Sequence, residues 1–431
     1  MFPLSLFCFS EFMKVQVSFL LVGAMFAACS QPRTSIIDVK ITNKLDTLRS
    51  NELVEIPFKQ VIDEFGESDS VQFVIVDKDG KEVPYQISYD ENVIFPVSVG
   101  ANSSVVYTIR HGVPKTIEPR VQGHFYAFRN DDITWENELA IYRCFGPTQQ
   151  MTKEPKYGYD YWCKDTTDLV SEDRYIRASD PELQSRIDLL ETKGQIRKAK
   201  ALKDSMDFYH DHGDGLDCFK VGRTLGLAGT ALMADSVTLI PSNAYSTYEI
   251  LDNGPLRFTV ALTYPPIKVD GDSSIIEKRI ISLDAGCYFN KVQLSFGNLK
   301  EVKNICTGIV LNGRRRNKIE GSVDDGFMAF RYRTQNYPKT GDIYTGAIFV
   351  HPVLSIEENL FKTSKQRAEH DGNFGYLQAI SQYTPGDSFV YYFGASWSKY
   401  GLKSFDEWVE HIRQFNRRLV TPLKVSIVEK K

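Results

Sequence analysis

Short apolar runs recur at regular intervals along this chain of 431 residues, and they constrain its fold more than any other feature. Each run is rich in β-branched and aromatic residues and is followed by a turn with Gly, Asp or Asn. Between Val71 and Ser88 two such runs flank Asp77-Lys78-Asp79-Gly80, which predicts a hairpin. Because similar runs continue from Leu256 to Ala395, we expect an all-β protein with antiparallel sheets.

Two segments interrupt the strand pattern with helical signals. Asp180 before Pro181 gives an N-cap and a proline at the first helical position, which predicts a helical insertion that leads into Tyr209. Ser404 and Glu407 form a capping box ahead of a one-sided apolar pattern. That pattern predicts a C-terminal helix with a packing role.

The N-terminus carries an export pattern. An apolar run after Met13 ends in small residues before Cys29, so residues 1–28 are predicted to be a lipoprotein-type signal peptide with its true start at Met13. Cys29 would then carry a lipid that anchors the protein in the cell envelope of a Gram-negative bacterium, at the outer membrane or the periplasmic face. Residues 35–115 are predicted to form a small β-sandwich, and residues 120–430 a large one that carries the site.

Charge and cysteine content exclude several classes of protein. The formal net charge is −4, so no basic field indicates a nucleic acid as partner. Behind Cys29 the cysteines are widely spaced and include no C-x-x-C pair, which argues against a zinc ribbon or a dense disulfide framework. At most two bridges could form among these cysteines, which are Cys144, Cys163, Cys218, Cys287 and Cys306.

The segment from Tyr209 to Asp217 concentrates titratable groups. It holds two of the seven histidines, His210 and His212, together with carboxylates and two glycines that permit a sharp turn. A solvated turn is the plain alternative to a site. No cofactor is required by this pattern, but His210, His212 and Asp214 could bind a structural calcium or zinc ion, although no complete metal motif is present.

Aromatic residues next to polar ones suggest a second group of site residues. An aromatic ring, a carboxylate, an amide and a guanidinium together are what a sugar site uses, although a strand end with a buried tryptophan explains the first cluster equally well. The candidate substrate-binding residues are Trp135, Glu136, Asn137, Asp160, Trp162, Asp214, Asp217, Arg223 and Trp397.

Three motifs carry a resemblance to a known family. They are Trp135-Glu136-Asn137 with Arg143, the run from Asp211 to Asp217, and the run from Tyr391 to Trp397. Together they resemble the Bacteroidetes lipoprotein domain-of-unknown-function family 4861, over nearly the whole chain behind the leader. The resemblance implies a role in polysaccharide utilisation and a large sandwich similar to the galactose-mutarotase-like supersandwich.

For the oligosaccharide or polysaccharide partner that the resemblance implies, our preferred hypothesis is β-elimination on a uronate, by a lyase or a dehydratase. His210 or His212 would remove the proton at C5, because histidine titrates near neutral pH. Tyr209 or the second histidine would protonate the leaving oxygen. Arg143, with Arg223 in reserve, would neutralise the carboxylate of the substrate.

Two other functions stay open at this point. A glycoside hydrolase would use paired carboxylates, with Glu136, Asp160, Asp214 and Asp217 as candidates. A non-catalytic lipoprotein would bind glycans on a platform of Trp135, Trp162 and Trp397.

Overall fold

The computed structural model describes residues 36–65, 72–312 and 318–428. Strands account for 46% of the chain and helices for 18%, and the sheets are antiparallel, so the predicted all-β class is confirmed. Within the described residues, no helix has the length and apolar character needed to cross a membrane. The predicted signal peptide and the lipid acceptor Cys29 lie outside the described residues.

The N-terminal part alternates buried and exposed residues along its strands, as in β1, where Ile37, Val39 and Ile41 point into a core. The predicted hairpin is present, with its turn at Asp77–Gly80. The elements are β1 Ile36–Thr42, β2 Arg49–Pro57, α1 Phe58–Phe65, β3 Phe73–Val76, β4 Glu82–Val83, β5 Gln86–Ile87, β6 Asn92–Val99 and β7 Ser104–His111.

The middle part holds a sheet and the predicted helical insertion. Asp180 caps the helix that starts at Pro181, as predicted, but Gly194 adopts a positive φ of 69° and divides the insertion into separate helices. The elements are β8 Val121–Tyr126, β9 Asp132–Asn137, β10 Ile141–Cys144, α2 Pro147–Gln150, β11 Tyr159–Lys164, α3 Ser171–Ala178, α4 Pro181–Thr192, α5 Ile196–Met206 and β12 Gly215–Leu216.

The last part is again rich in strands and ends with the predicted helix, whose capping box of Ser404 and Glu407 is present. Its elements are β13 Leu227–Met233, β14 Leu239–Pro241, β15 Thr247–Asn253, β16 Arg257–Thr263, β17 Ile267–Val269, β18 Asp272–Asp284, β19 Phe289–Gly297, β20 Lys303–Leu311, β21 Ile319–Ser322, β22 Phe327–Arg333, β23 Asp342–Phe349, β24 Val353–Leu360, α6 Ser364–Glu369, β25 Gly375–Tyr383, β26 Phe389–Trp397, α7 Phe405–Val420 and β27 Lys424–Val428.

The small sandwich consists of the sheet β27-β1-β7-β3-β4 packed on the sheet β2-β6-β5, with one shared core. Strand β27 comes from the far end of the chain and pairs with β1, so Asp38 lies opposite Val428. The end of the predicted 120–430 unit is thus part of the small sandwich, where it covers an edge of β1 that would otherwise be unpaired.

Three further sheets share the main core: β12-β11-β10-β9-β8, β14-β13-β20-β25-β24, and a nine-stranded sheet that contains β18, β19 and β26. Helix α7 packs on the outer side of the nine-stranded sheet through Trp408 and Ile412. The sheet that contains β11 has the main core on one side and the helical insertion on the other, and this second side holds the site.

Candidate active site

The two faces of the sheet β12-β11-β10-β9-β8 differ in chemistry. Residues such as Trp135, Tyr142 and Tyr161 point into the main core. Ile141 lies on the opposite face from Tyr142, in a cluster of buried residues that includes Phe208 of the segment that follows α5. This second face also carries buried charged side chains, which are Asp132, Glu136, Arg143, Asp160 and Lys164.

Arg143 is the centre of the cavity cluster, which we define as Arg143, Asp132, Asp160 and Asp217. Arg143 on β10 lies directly opposite Asp160 on β11, and its Nε donates to Asp160 Oδ2 at 2.8 Å. Its Nη2 donates to Asp160 and, at 3.0 Å, to Asp217 Oδ2, while its Nη1 lies 3.7 Å from Asp132 Oδ2. One buried guanidinium thus forms ion pairs with three buried carboxylates.

Burial raises the pKa values of two of these acids. Burial, followed by the charge of Asp160, raises the pKa of Asp217 to about 7, although Arg143 opposes the shift. Burial likewise raises the pKa of Asp132 to about 6. Asp217 therefore exchanges its proton near neutral pH, as a general acid or base needs to do.

Asp217 opens onto a cavity of about 570 Å³, within the size range of small-molecule sites. Tyr209 is half exposed on its wall, and burial of its phenol raises the pKa to about 12, so the hydroxyl keeps its proton. The wall also contains the predicted residues Arg143 and Asp160. Other polar lining residues are Glu154, Lys156, Lys220, Gln335, Asn336, Thr340 and Asp371.

Lys156 supplies positive charge to this cavity. Its ammonium lies 5.8 Å from the ring centre of Phe145, and its charge lowers the pKa of Asp217. The Gln150 side chain holds the loop by donating to the backbone carbonyl of Lys156 at 2.7 Å. Lys220 donates to the carbonyl of Asp371 at 2.6 Å, so part of its hydrogen-bonding capacity is already used.

A second charge cluster on the same face is closed to solvent. We call Glu136, Asn137 and Lys164 the sealed cluster. Glu136 accepts hydrogen bonds from Lys164 Nζ at 2.9 Å and from the backbone N–H groups of Val170 and Ser171 at 3.0 and 2.7 Å. Lys164 Nζ also donates to the Asn137 carbonyl at 2.6 Å. Glu136 thereby fixes the start of α3. Glu136 and Asn137 are both fully buried, so a substrate cannot reach them in this structure, although both were predicted to bind one.

The three tryptophans predicted to bind a glycan are buried. Trp135 and Trp162 have no exposed surface and Trp397 has 1%. Their indole N–H groups donate to protein acceptors, with Trp162 Nε1 lying 3.2 Å from Asp160 Oδ2. The rings cannot stack on a sugar from these positions, because all three side chains are buried.

His210 and His212 lie on the surface and are not among the residues that line the cavity. His210 Nδ1 is 2.8 Å from Asp207 Oδ1, and His212 Nε2 is 2.8 Å from the Asp207 carbonyl. The predicted role of either histidine as the base in the cavity therefore has no geometric support here. His210 does form a group with Asp204 and Asp207 in which one ligand atom from each lies within 4.8 Å of the others, so these residues could hold a cation.

Two further predicted residues are engaged elsewhere. Asp214 pairs with Arg174, whose Nε lies 3.5 Å from its Oδ2, and does not join His210 and His212 in a ligand set. Arg223 is bound to Asp371 by two side-chain contacts, at 3.0 and 3.2 Å, which leaves it poorly placed as a reserve partner for a substrate carboxylate.

Sequence reasoning missed Lys156 and Asp371. Lys156 precedes the Gly158-Tyr159 turn into β11, only four residues before Asp160, and this proximity was an available signal. Asp371 is more than 150 residues from Asp217, so its place on the cavity wall depends on sheet packing that no local pattern indicates.

The fold and the cavity define a class: a two-sandwich all-β protein with a charged cavity that is lined by strand residues of one sheet and by loops around it. The chain belongs to the family described as Domain of unknown function (DUF4861), which matches residues 41–425 and confirms the resemblance stated above. It is 25% identical over 442 residues to "Uncharacterized protein P7" of Formosa agariphila, across 96% of this chain and 99% of that protein.

Two solved structures from Enterococcus faecalis are similar at a low level. One is described as a protein in the glycosyl hydrolase family 38 (TM-score 0.43) and the other as an alpha-mannosidase (TM-score 0.37). Each is 8% identical to this chain and covers 92% of it. The chain spans about half of each, 48% and 46% of their lengths. Neither likeness is close enough to carry an inference about substrate.

Proposed function

We propose that this protein is an enzyme that performs β-elimination on uronate-containing oligosaccharides, with Asp217 as the group that transfers the proton. The observation that carries the proposal is a carboxyl group with a pKa of about 7 on the wall of a 570 Å³ cavity. At neutral pH such a group is present in both protonation states, which suits proton abstraction from carbon.

The other lining residues support this chemistry. The C5 proton of a uronate becomes acidic when the neighbouring carboxylate is neutralised, and Lys156 offers a positive charge close to Asp217. Arg143, the cation first expected in this role, is already bound to three acids. Tyr209 keeps its proton to about pH 12 and can deliver it to the leaving oxygen at C4.

Hydrolysis by the pair Asp160 and Asp217 is the second candidate, because both acids contact the same nitrogen of Arg143. Asp160 is fully buried, and its two oxygens already accept hydrogen bonds from Arg143, Trp162 and the Tyr161 N–H. A carboxylate with its lone pairs occupied is a poor nucleophile, so elimination ranks first. Glycan binding on tryptophans loses its support, since all three rings are buried.

The test is absorbance in the unsaturated-uronate band while the purified protein is incubated with a panel of uronate oligosaccharides. We expect a rising signal that is about 1,000-fold slower in Asp217→Asn, because an acid–base group typically contributes between 100-fold and 10,000-fold. Asp214→Asn is the matched control: it removes a carboxyl three residues away that does not line the cavity, and it should keep the wild-type rate. Smaller sugars released without absorbance would establish hydrolysis instead and reject elimination.

A further inference from the structure

Two thiols lie close together, and one of them is on the wall of the cavity. Cys163 lies on β11, and Cys218 follows β12 directly after Asp217. Their sulfur atoms are 3.5 Å apart. Cys163 is fully buried, whereas Cys218 is partly exposed and lines the cavity. We propose that Cys163 and Cys218 are a redox-active pair that closes into a disulfide and locks the Asp217 segment onto the strand that carries Asp160.

The local geometry is close to what the bond requires. A disulfide holds its sulfur atoms about 2.05 Å apart, so an approach of about 1.5 Å is enough. Strands β11 and β12 already pair at this point, with Cys163 opposite Leu216, two residues before Cys218. The Asp217 N–H also donates to the Phe208 carbonyl at 2.7 Å, which holds the segment in place. Formation of the bond therefore needs side-chain movement and not a new strand arrangement.

The position of the pair in the chain gives the bond its consequence. Cys163 and Cys218 are 55 residues apart, and the residues between them include α3, α4 and α5. A bond between the two cysteines closes the helical insertion at its base. Since Asp160 and Asp217 lie on the two joined segments, the bond also fixes the two acids relative to each other. The crosslink itself does not depend on the proposed function; only an effect on turnover would.

The order of reaction follows from access. Cys218, reached from the cavity, attacks a small disulfide such as oxidised glutathione, which forms a mixed disulfide and releases one glutathione thiolate. Burial raises the pKa of the Cys163 thiol, so this cysteine reacts second. Its sulfur loses its proton, attacks Cys218 Sγ and displaces the second glutathione. Both protein protons end on the two released glutathiones, so two thiols are oxidised and one disulfide is reduced.

The experiment incubates the reduced, full-length protein with oxidised glutathione, blocks the remaining thiols and maps the peptides by mass spectrometry without reduction. We expect one crosslinked peptide pair, Cys163 with Cys218, lighter by two hydrogens than the separate peptides. Cys163→Ser should accumulate a glutathione adduct on Cys218, because the second attack is missing. Cys218→Ser should give neither product. Cys306→Ser, which removes a buried thiol in another sheet, is the control and should crosslink like the wild type.

A second readout reports the effect on stability. Closing a loop of this length should raise the Tm of the oxidised protein by about 5 °C, and dithiothreitol should reverse the rise. A stable glutathione adduct on Cys218 in the wild type, a crosslink between other cysteines, or no reaction at Cys218 would each overturn the proposal. None of these readouts uses a substrate, so their failure is distinguishable from failure of the proposed function.

Discussion

The cavity cluster and the sealed cluster lie on the same face of one sheet, yet they differ in the balance of their buried positive and negative charges. In the sealed cluster one carboxylate, Glu136, faces one ammonium, Lys164, and also accepts hydrogen bonds from two backbone N–H groups and from the Gln122 side chain. In the cavity cluster one guanidinium, Arg143, faces three carboxylates. The positive and negative charges balance in the sealed cluster, whereas the cavity cluster has an excess of negative charge.

This difference separates a structural role from a chemical one. The sealed cluster joins β9 and β11 to the start of α3, and neither of its charged side chains is exposed. The cavity cluster opens to solvent through Asp217, whose pKa is raised by burial and by a neighbouring acid. Buried charge alone is therefore a weak sign of function; excess charge of one sign next to a cavity is a stronger one.

The largest effect is expected from a substitution that disrupts the sealed cluster. Lys164→Met leaves Glu136 buried without its cation and should lower the free energy of unfolding by about 3–5 kcal/mol. The turnover of the molecules that stay folded should change little, because Lys164 does not line the cavity. Unfolding by denaturant measures the loss of stability, and rates normalised to the concentration of active sites measure the turnover.

The double variant Glu136→Gln, Lys164→Met is the control for that prediction. Removing both charges should recover part of the lost stability, since no uncompensated ion remains. A Lys164→Met protein that is as stable as the wild type would mean that the sealed cluster does not hold the insertion in place.

The next effect, on the order of 2 kcal/mol, is the pH dependence of stability. Asp217 has an ordinary pKa of 3.8 and a folded pKa of about 7, so the folded state binds more protons between these values. The free energy of unfolding of the wild type should therefore fall as pH rises from about 5 to about 8, whereas Asp217→Asn should lose this part of the fall. Chemical denaturation at both pH values measures the difference.

Asp132→Asn provides a graded comparison. The pKa of Asp132 is raised only to about 6, so its removal should flatten the pH dependence less than the removal of Asp217 does. If the free energy of unfolding varies with pH equally in the wild type, Asp217→Asn and Asp132→Asn, the raised pKa values are wrong. The contrast between the two clusters would then be wrong as well.

The sequence predicted the parts of this molecule that depend on short-range physics. Asp180 with Pro181 and Ser404 with Glu407 act within one helical turn, and both helix starts are confirmed. The all-β class followed from alternation along each strand. The pairing of β27 with β1 joins the first and the last of the described strands and has no local signal.

The site shows the same limit. The dense segment from Tyr209 to Asp217 does supply three cavity residues, Tyr209, Leu216 and Asp217. The histidines between them are held by Asp207 in a local turn, so residue type drew attention to the segment but did not say which side chains enter the cavity. That choice depends on the pairing of β11 with β12 and on the packing of the insertion.

The smallest effect concerns Lys156, the cation that partly offsets the negative charge of the cavity cluster. Lys156→Met should raise KM for a uronate oligosaccharide about fivefold, close to 1 kcal/mol, because an incompletely buried charge is screened by solvent. Its removal should also raise the pKa of Asp217, so the rise of kcat/KM with pH should move to higher pH.

The control is Lys153→Met, on the exposed part of the same loop, which should change neither KM nor the pH dependence of kcat/KM. If Lys153→Met and Lys156→Met behave alike, Lys156 does not face the substrate, and the negative charge of the cavity would then require another cation to attract an acidic sugar.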